Sequence, residues 1–136
     1  MNTKAIRRIL VAVDFSSCSR AAFEFARGLG TSLGASLEVL FVRPSADGKG
    51  EEIAAAAAKE ELRQFVATAG SDSASISLRV EEGDARERIV TIAEKGGFDL
   101  VVLGTHGRTG RPRTLAGSVA ESVVRTSARP VLTVRE

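Results

Sequence analysis

The sequence predicts an α/β domain in which the strands of a mainly parallel sheet alternate with helices. Three observations support this prediction. Short apolar runs without polar alternation, such as Ile9–Val13, are typical of strands buried on both faces. Segments with apolar residues at helical spacing lie between these runs. The chain has 136 residues, of which 43% are apolar and 26% charged, which suits one hydrophobic core. We therefore expect residues 1–136 to form a single domain.

Five strands and four helices follow in order along the chain. The predicted strands are Ile9–Val13, Leu37–Val42, a segment with Ile76, Leu78 and Val80, then Leu100–Leu103 and Val131–Val134. The predicted helices run from Ser16, Ser17 or Ser19 to about Gly34, from Glu51 to about Ala69, from Ala85 to Gly96-Gly97, and from Ser118 through Val124. Serine is a good N-cap and glycine a common helix end, which sets these boundaries. The alternation around Leu78 indicates a strand near the edge of the sheet.

Composition argues against several classes of protein. The single cysteine, Cys18, can form neither an internal disulfide nor a Cys-rich metal site, and it favours a reducing compartment. No stretch approaches the roughly 20 apolar residues that span a bilayer, and the apolar run after Arg8 is too short for a signal peptide. A net charge of +2, no Trp and no Tyr argue against a nucleic-acid partner. We expect a cytoplasmic protein without membrane contact.

One segment concentrates positive charge and glycine. Thr105–Ala116 contains three arginines, one histidine and no acid. It lies between Gly104, at the end of the fourth strand, and Gly117-Ser118, at the start of a helix. In open parallel sheets, ligands bind beyond the carboxyl ends of the strands, and a helix N-terminus receives phosphate. The segment therefore indicates a site for a small anion, although a connector with solvated arginines remains the alternative.

The glycine spacing differs from two common nucleotide signatures. The P-loop pattern is absent, and the turn after the first strand, Asp14 to Ser19, has no glycine and so lacks the dinucleotide fingerprint. His106 is the only histidine, which excludes a Ser-His-Asp triad and a His-rich metal site. Asp14 either contacts a ligand or only caps the first helix.

The residues resemble the universal stress protein family, in its ATP-binding branch. Gly104-x-x-Gly107, nine residues and then Gly117-Ser118 match the family's loop motif without a gap. ILVAVDFS, from Ile9, looks like the family's first strand and acidic turn. FDLVVLGTHGR, from Phe98, and SVAESVVR, from Ser118, look like its fourth strand, loop and last helix. The resemblance covers essentially the whole chain.

The resemblance implies a doubly wound, Rossmann-like domain with a five-stranded parallel sheet in the order 3-2-1-4-5. It implies ATP as ligand, with Mg or Mn on the phosphates and no side chain as a direct metal ligand. The positions that match imply these roles: Ala12, Val13 and Asp14 border the adenosine, with Asp14 on the ribose; Val42 lines the adenine; Gly104, His106, Gly107 and Arg108 hold ribose and phosphates; Gly117, Ser118 and Val119 hold the triphosphate; Val131, Leu132 and Val134 form a homodimer through the last strand.

Three functions from different classes remain open. The first is a nucleotide-dependent regulator of a stress response, in which ATP orders the segment from Gly104 to Ser118. The second is an enzyme, a slow ATPase or a self-phosphorylating protein. Efficient phosphoryl transfer needs an acid that positions the nucleophile, and none is evident near Gly117-Ser118. The third is an interaction subunit that binds no nucleotide.

Overall fold

The computed structural model describes residues 5–45, 50–67, 75–105 and 118–136. Five strands and four helices alternate: β1 (Arg8–Ala12), α1 (Ser17–Leu33), β2 (Ser36–Arg43), α2 (Glu51–Ala67), β3 (Ile76–Glu82), α3 (Ala85–Lys95), β4 (Leu100–Gly104), α4 (Val119–Thr126) and β5 (Val131–Val134). Every pair of neighbouring strands is parallel, and the order in the sheet is β3-β2-β1-β4-β5. The predicted fold class and strand order are confirmed.

Each face of the sheet carries its own hydrophobic core. The core with α1 and α2 contains Phe23, Leu62 and Phe65, and the core with α3 and α4 contains Ile92 and Val123. In β1, Ile9, Leu10 and Val11 are fully buried, because consecutive side chains of the central strand point to opposite, covered faces.

Local sequence signals set most helix boundaries. Ser16 is the N-cap of α1, and its hydroxyl accepts a hydrogen bond from the amide of Ser19 at 3.1 Å. Gly34 ends α1 in the left-handed conformation, with φ at 67°. Asp84 is the N-cap of α3, and its carboxylate accepts from the amide of Arg86 at 2.8 Å. As predicted, Ser118 caps α4.

Strand boundaries differ from the sequence prediction by one or two residues, and β1 runs from Arg8 to Ala12 instead of from Ile9 to Val13. β2 and β3 both run further than predicted, to Arg43 and Glu82, which pair in the ladder. α2 is described to Ala67, and its predicted end at Ala69 lies outside the described residues.

Because all strands are parallel, their carboxyl ends and the N-termini of all four helices lie at one end of the sheet. We call this the carboxyl end of the sheet.

Candidate functional site

The turn between β1 and α1 is held by hydrogen bonds of Asp14 and two serines. The Asp14 carboxylate accepts from the amide of Ser16 at 3.0 Å, and the Asp14 amide donates to the hydroxyl of Ser19 at 3.3 Å. The Ser19 hydroxyl also donates to the carbonyl of Ser16 at 3.1 Å. The half-buried Asp14 therefore stabilises the turn and lies at the carboxyl end of β1, where a ligand role was predicted for it.

Phe15 adopts a backbone conformation that non-glycine residues rarely take. Its φ is 67°, which costs a residue with a side chain about 1–2 kcal/mol. Its ring packs against Phe41 of β2, with ring centroids 4.6 Å apart, and against Phe65 of α2 at 5.6 Å. These contacts offset the strain and fix the chain direction between Asp14 and the helix. The left-handed conformation of Phe15 was not predicted from the sequence, because Gly or Asn normally occupies such a turn position.

Ala12 and Val42 share one face of the sheet, as a common role beside the adenine requires. Both pack with the core on the α3 and α4 face. Val13 lies on the opposite face, where its side chain is 6% exposed and part of the α1 and α2 core. Its amide donates to the carbonyl of Leu40 at 2.9 Å. Val13 is thus positioned to border a ligand on the α3 and α4 face with its backbone and not with its side chain.

Gly104 has a packing reason to be glycine besides the ligand contact that the sequence suggested. A Cβ at this position would lie 2.7 Å from the Sγ of Cys18 and 2.9 Å from that residue's carbonyl carbon and oxygen. The end of β4 therefore lies directly against the first turn of α1. Cys18 is buried, and its thiol donates to the carbonyl of Val134 at 3.4 Å. These contacts assign Cys18 to packing.

The N-terminus of α4 brings Ser118, the last residue of the loop motif, to the carboxyl end of the sheet. The hydroxyl of Ser118 accepts from the amide of Glu121 at 2.9 Å. Val119, the first helical residue, is 36% exposed. The remaining residues predicted for the phosphates lie outside the described residues: His106, Gly107, Arg108 and Gly117.

A charge cluster with a buried arginine at its centre lies at the same end of the sheet, beyond β2 and β3. Arg43 is only 9% exposed, and its guanidinium binds the carboxylates of Glu51, in the first turn of α2, and of Glu82, at 3.0 Å. The hydrogen bond with Glu82 and then the one with Arg43 lower the pKa of Glu51. The hydrogen bond with Glu51, followed by desolvation, raises the pKa of Glu82. A functional role for these three residues, which we call the Arg43 cluster, was not predicted from the sequence.

The residues that the structure describes offer neither a cluster of metal ligands nor a membrane-spanning helix. These residues contain no group of three or more His, Cys, Asp or Glu side chains that could hold a metal ion. Across the described ranges, no helix has both the length and the hydropathy that a membrane span requires.

The fold and the position of the site define a doubly wound α/β protein with its candidate site beyond the carboxyl ends of β1 and β4. The model of the universal stress protein family matches residues 5–135. The chain therefore belongs to the universal stress protein family, as its motifs predicted.

Individual relatives show the same relationship. Universal stress protein MJ0531 of Methanocaldococcus jannaschii is 31% identical over 140 residues, which cover 96% of this chain and 82% of the relative. The solved structure of MJ0577, from the same organism, superposes with a TM-score of 0.84 at 26% identity and covers 98% of both chains.

Two further solved structures share the fold at lower identity. One is a universal stress protein in complex with cAMP, with a TM-score of 0.72 and 24% identity, covering 96% of this chain and 98% of that one. The other, from Archaeoglobus fulgidus, is in complex with dAMP, with a TM-score of 0.70 and 20% identity, covering 96% and 99%.

Proposed function

We propose that this protein binds ATP at the carboxyl end of the sheet and acts in the cytoplasm as a nucleotide-dependent regulator of a stress response. The observation that carries the proposal is where Gly104 and Ser118, the first and last residues of the loop motif, lie. Gly104 ends β4 against the first turn of α1, which follows Asp14, and Ser118 caps α4. This is the point at which the winding of the sheet reverses, and open α/β sheets bind ligands there.

Each part of the nucleotide has a matching group at this end of the sheet. Ala12 and Val42 offer an apolar wall for the base, and we call these two residues the base wall. The carboxylate of Asp14 is an acceptor suited to ribose hydroxyls. The N-terminus of α4 offers backbone amides and a positive dipole end to phosphates.

The family supports an adenine nucleotide as ligand. Two proteins with this fold hold cAMP and dAMP in their solved structures. The loop motif of this chain matches the ATP-binding branch, which favours the triphosphate. A Mg or Mn ion would be held mainly by phosphate oxygens and water, as Mg²⁺ usually is at nucleotides. That arrangement fits a site whose described residues offer few carboxylates.

The binding proposal is tested on freshly purified protein. Native mass spectrometry should find about one ATP mass per chain, and calorimetry should measure ATP binding that Gly107→Val and Gly117→Val abolish. A matched control is Gly28→Val on α1, where no atom lies within 4 Å of an added Cβ. Undiminished ATP binding by both loop variants would show that the motif does not contact the ligand.

Two measurements separate a regulator from an enzyme. A regulator should hold ATP unchanged on standing, whereas steady release of ADP and phosphate would identify a slow ATPase. Hydrogen exchange over residues 105–116 should be slowed more by ATP than by AMP, because only ATP brings β- and γ-phosphates to the basic segment. Equal protection by both nucleotides would contradict control of this segment by ATP.

We further propose that β5 pairs with its copy in a homodimer. β5 is an edge strand of four uncharged residues, whereas the opposite edge strand, β3, carries Arg79 and Glu81 in an ion pair. Charges on an edge strand oppose pairing with another chain, and an uncharged edge permits it. The carbonyls of Pro130 and Val134 accept from β4. In a parallel ladder this pattern directs the N–H of Thr133 outward, toward a second copy.

A further inference from the structure

The Arg43 cluster joins three elements next to the base wall. Arg43 follows Val42 in β2, and its side chain lies on the opposite face of the sheet, with Phe41 and the α2 core. Its guanidinium binds Glu51 of α2 and Glu82 of β3. Its carbonyl accepts from the amide of Gly83 at 2.9 Å. The end of β2 is therefore held from two sides by contacts of a single residue.

The charges in this cluster do not balance if both carboxyl groups are ionised. One guanidinium then faces two carboxylates, and Oε2 of Glu51 is buried without a hydrogen-bond partner among the described residues. The side chains of Glu51 and Glu82 are within hydrogen-bonding distance of each other, so a proton on Glu82 removes the charge imbalance and supplies Glu51 with a donor. The pKa shifts agree with this assignment, since they favour an ionised Glu51 and a protonated Glu82.

The other charges near Glu82 leave this pairing undisturbed. The hydroxyl of Ser45 donates to the Glu82 carboxylate and lowers its pKa by less than Glu51 raises it. On the α3 side of β3, Glu81 pairs with Arg79 at 2.8 Å and with Arg88 at 3.0 Å. Those two cations are thus engaged on the opposite face of the strand and do not compensate Glu82.

We propose that Glu82, in its neutral, proton-bearing form, is a positioning residue of the nucleotide site: through Glu51 and Arg43 it fixes the end of β2, and loss of its proton weakens nucleotide binding. The second half of this proposal rests on the proposed function. Deprotonation leaves two adjacent carboxylates with one cation, so the first turn of α2 is repelled from β3. The base wall then loses its support at Val42.

The sign of the pH dependence follows from the direction of each shift. The raised pKa of Glu82 means that its contribution to stability is present at low pH and lost as the pH rises through its folded-state pKa. The lowered pKa of Glu51 gives the reverse, a contribution lost as the pH falls through its folded-state pKa. The cluster is therefore most stable between the two values.

The first test needs no nucleotide and no variant. A carbon-detected NMR titration of wild-type protein should show the Glu82 carboxyl group titrating above the ordinary Glu pKa of about 4.3. The protection factor of the Ala54 amide, which donates to Gly50 in the first turn of α2, should fall through the same pH range. The Arg88 amide, which donates to Asp84 in the first turn of α3, is the internal control and should keep its protection. An ordinary pKa for Glu82 would overturn the proposal.

The second test uses Glu82→Gln, whose amide is neutral and retains a donor for Glu51. ATP affinity is measured from about pH 5, which lies above the ordinary Glu pKa, to about pH 9. Over this range the affinity of the wild type should fall roughly threefold to tenfold, which corresponds to the loss of one hydrogen bond. Glu82→Gln should lose less. The matched control, Glu81→Gln on the other face, should follow the wild type. A Glu82→Gln profile equal to that of the wild type would refute a positioning role. ATP binding by none of the proteins would refute the proposed function and leave the NMR result standing.

Discussion

Substitution of Gly104 by alanine tests how closely β4 packs against α1. The new methyl group would lie 2.7 Å from the Sγ of Cys18 and 2.9 Å from two backbone atoms of that residue. A side chain can rotate away, but the backbone of a helix whose start is fixed by Ser16 moves only with the whole turn. Overpacking of this kind costs about 1–3 kcal/mol. Replacing glycine also lowers the entropy of the unfolded chain, a gain of about 0.4–1 kcal/mol.

The net expectation is a loss of about 1–2 kcal/mol in the free energy of unfolding, the difference of these two effects. Urea denaturation followed by far-ultraviolet circular dichroism measures it. Gly28→Ala is the matched control, because Gly28 lies on the exposed side of α1 and its new methyl group meets no atom within 4 Å. It should raise stability by up to about 1 kcal/mol through helix propensity.

Adding Cys18→Ala to Gly104→Ala locates the clash. The second substitution removes the sulfur but leaves the carbonyl carbon and oxygen at 2.9 Å, so it should restore only part of the loss beyond its own cost. Wild-type stability of Gly104→Ala would refute the close packing. Complete recovery in the double variant would show that only the thiol resists.

Three further substitutions test the site and the assembly. Asp14→Asn keeps an acceptor for the amide of Ser16, so the free energy of unfolding should stay within about 0.5 kcal/mol of the wild-type value. It removes a charged acceptor, so ATP binding measured by calorimetry should weaken roughly tenfold or more. Ser118→Ala should cost about 1 kcal/mol through loss of the α4 cap, and Ser118→Asp should restore that stability in thermal unfolding. Thr133→Pro removes the outward N–H of β5 and should therefore give a monomer in sedimentation velocity, whereas the control Thr133→Val should remain a dimer. A monomeric wild type would contradict the proposed dimer.

The sequence predicted those features whose cause is local. Continuous apolar runs identified the buried strands, and Ser16, Gly34 and Ser118 set helix boundaries because each acts on amides or carbonyls within a few residues. The edge position of β3 followed from its alternation of apolar and polar residues. The spacing of the glycine motif predicted the family, since it describes a single strand, loop and helix.

Features that depend on distant contacts could not be predicted in this way. Gly104 and Cys18 are 86 residues apart, and nothing near Gly104 in the sequence signals that a helix lies against it. In the sequence, Arg43 looks like the polar end of a strand. It lies two residues after the core-facing Phe41, however, and therefore on the same face of the sheet. It is buried there only because Glu51 and Glu82, from two other elements, compensate its charge.

The distribution of charge at the carboxyl end of the sheet implies a direction for the nucleotide that we propose to bind there. The β2 and β3 half carries Glu51, Glu82 and the Asp84 cap, so the helices there already have acids at their N-termini. In contrast α1 has no acid in its first turn, and α4 has one, Glu121. The sequence adds three arginines between β4 and α4. These three cations outnumber the single first-turn acid of α4, so the phosphates of the proposed nucleotide are favoured on the β4 and α4 half. A neutral base beside Val42 would lie next to the Arg43 cluster without electrostatic cost. A protonated Glu82 lowers the negative charge next to that base, which links the proton on the cluster to the nucleotide on the other face of β2.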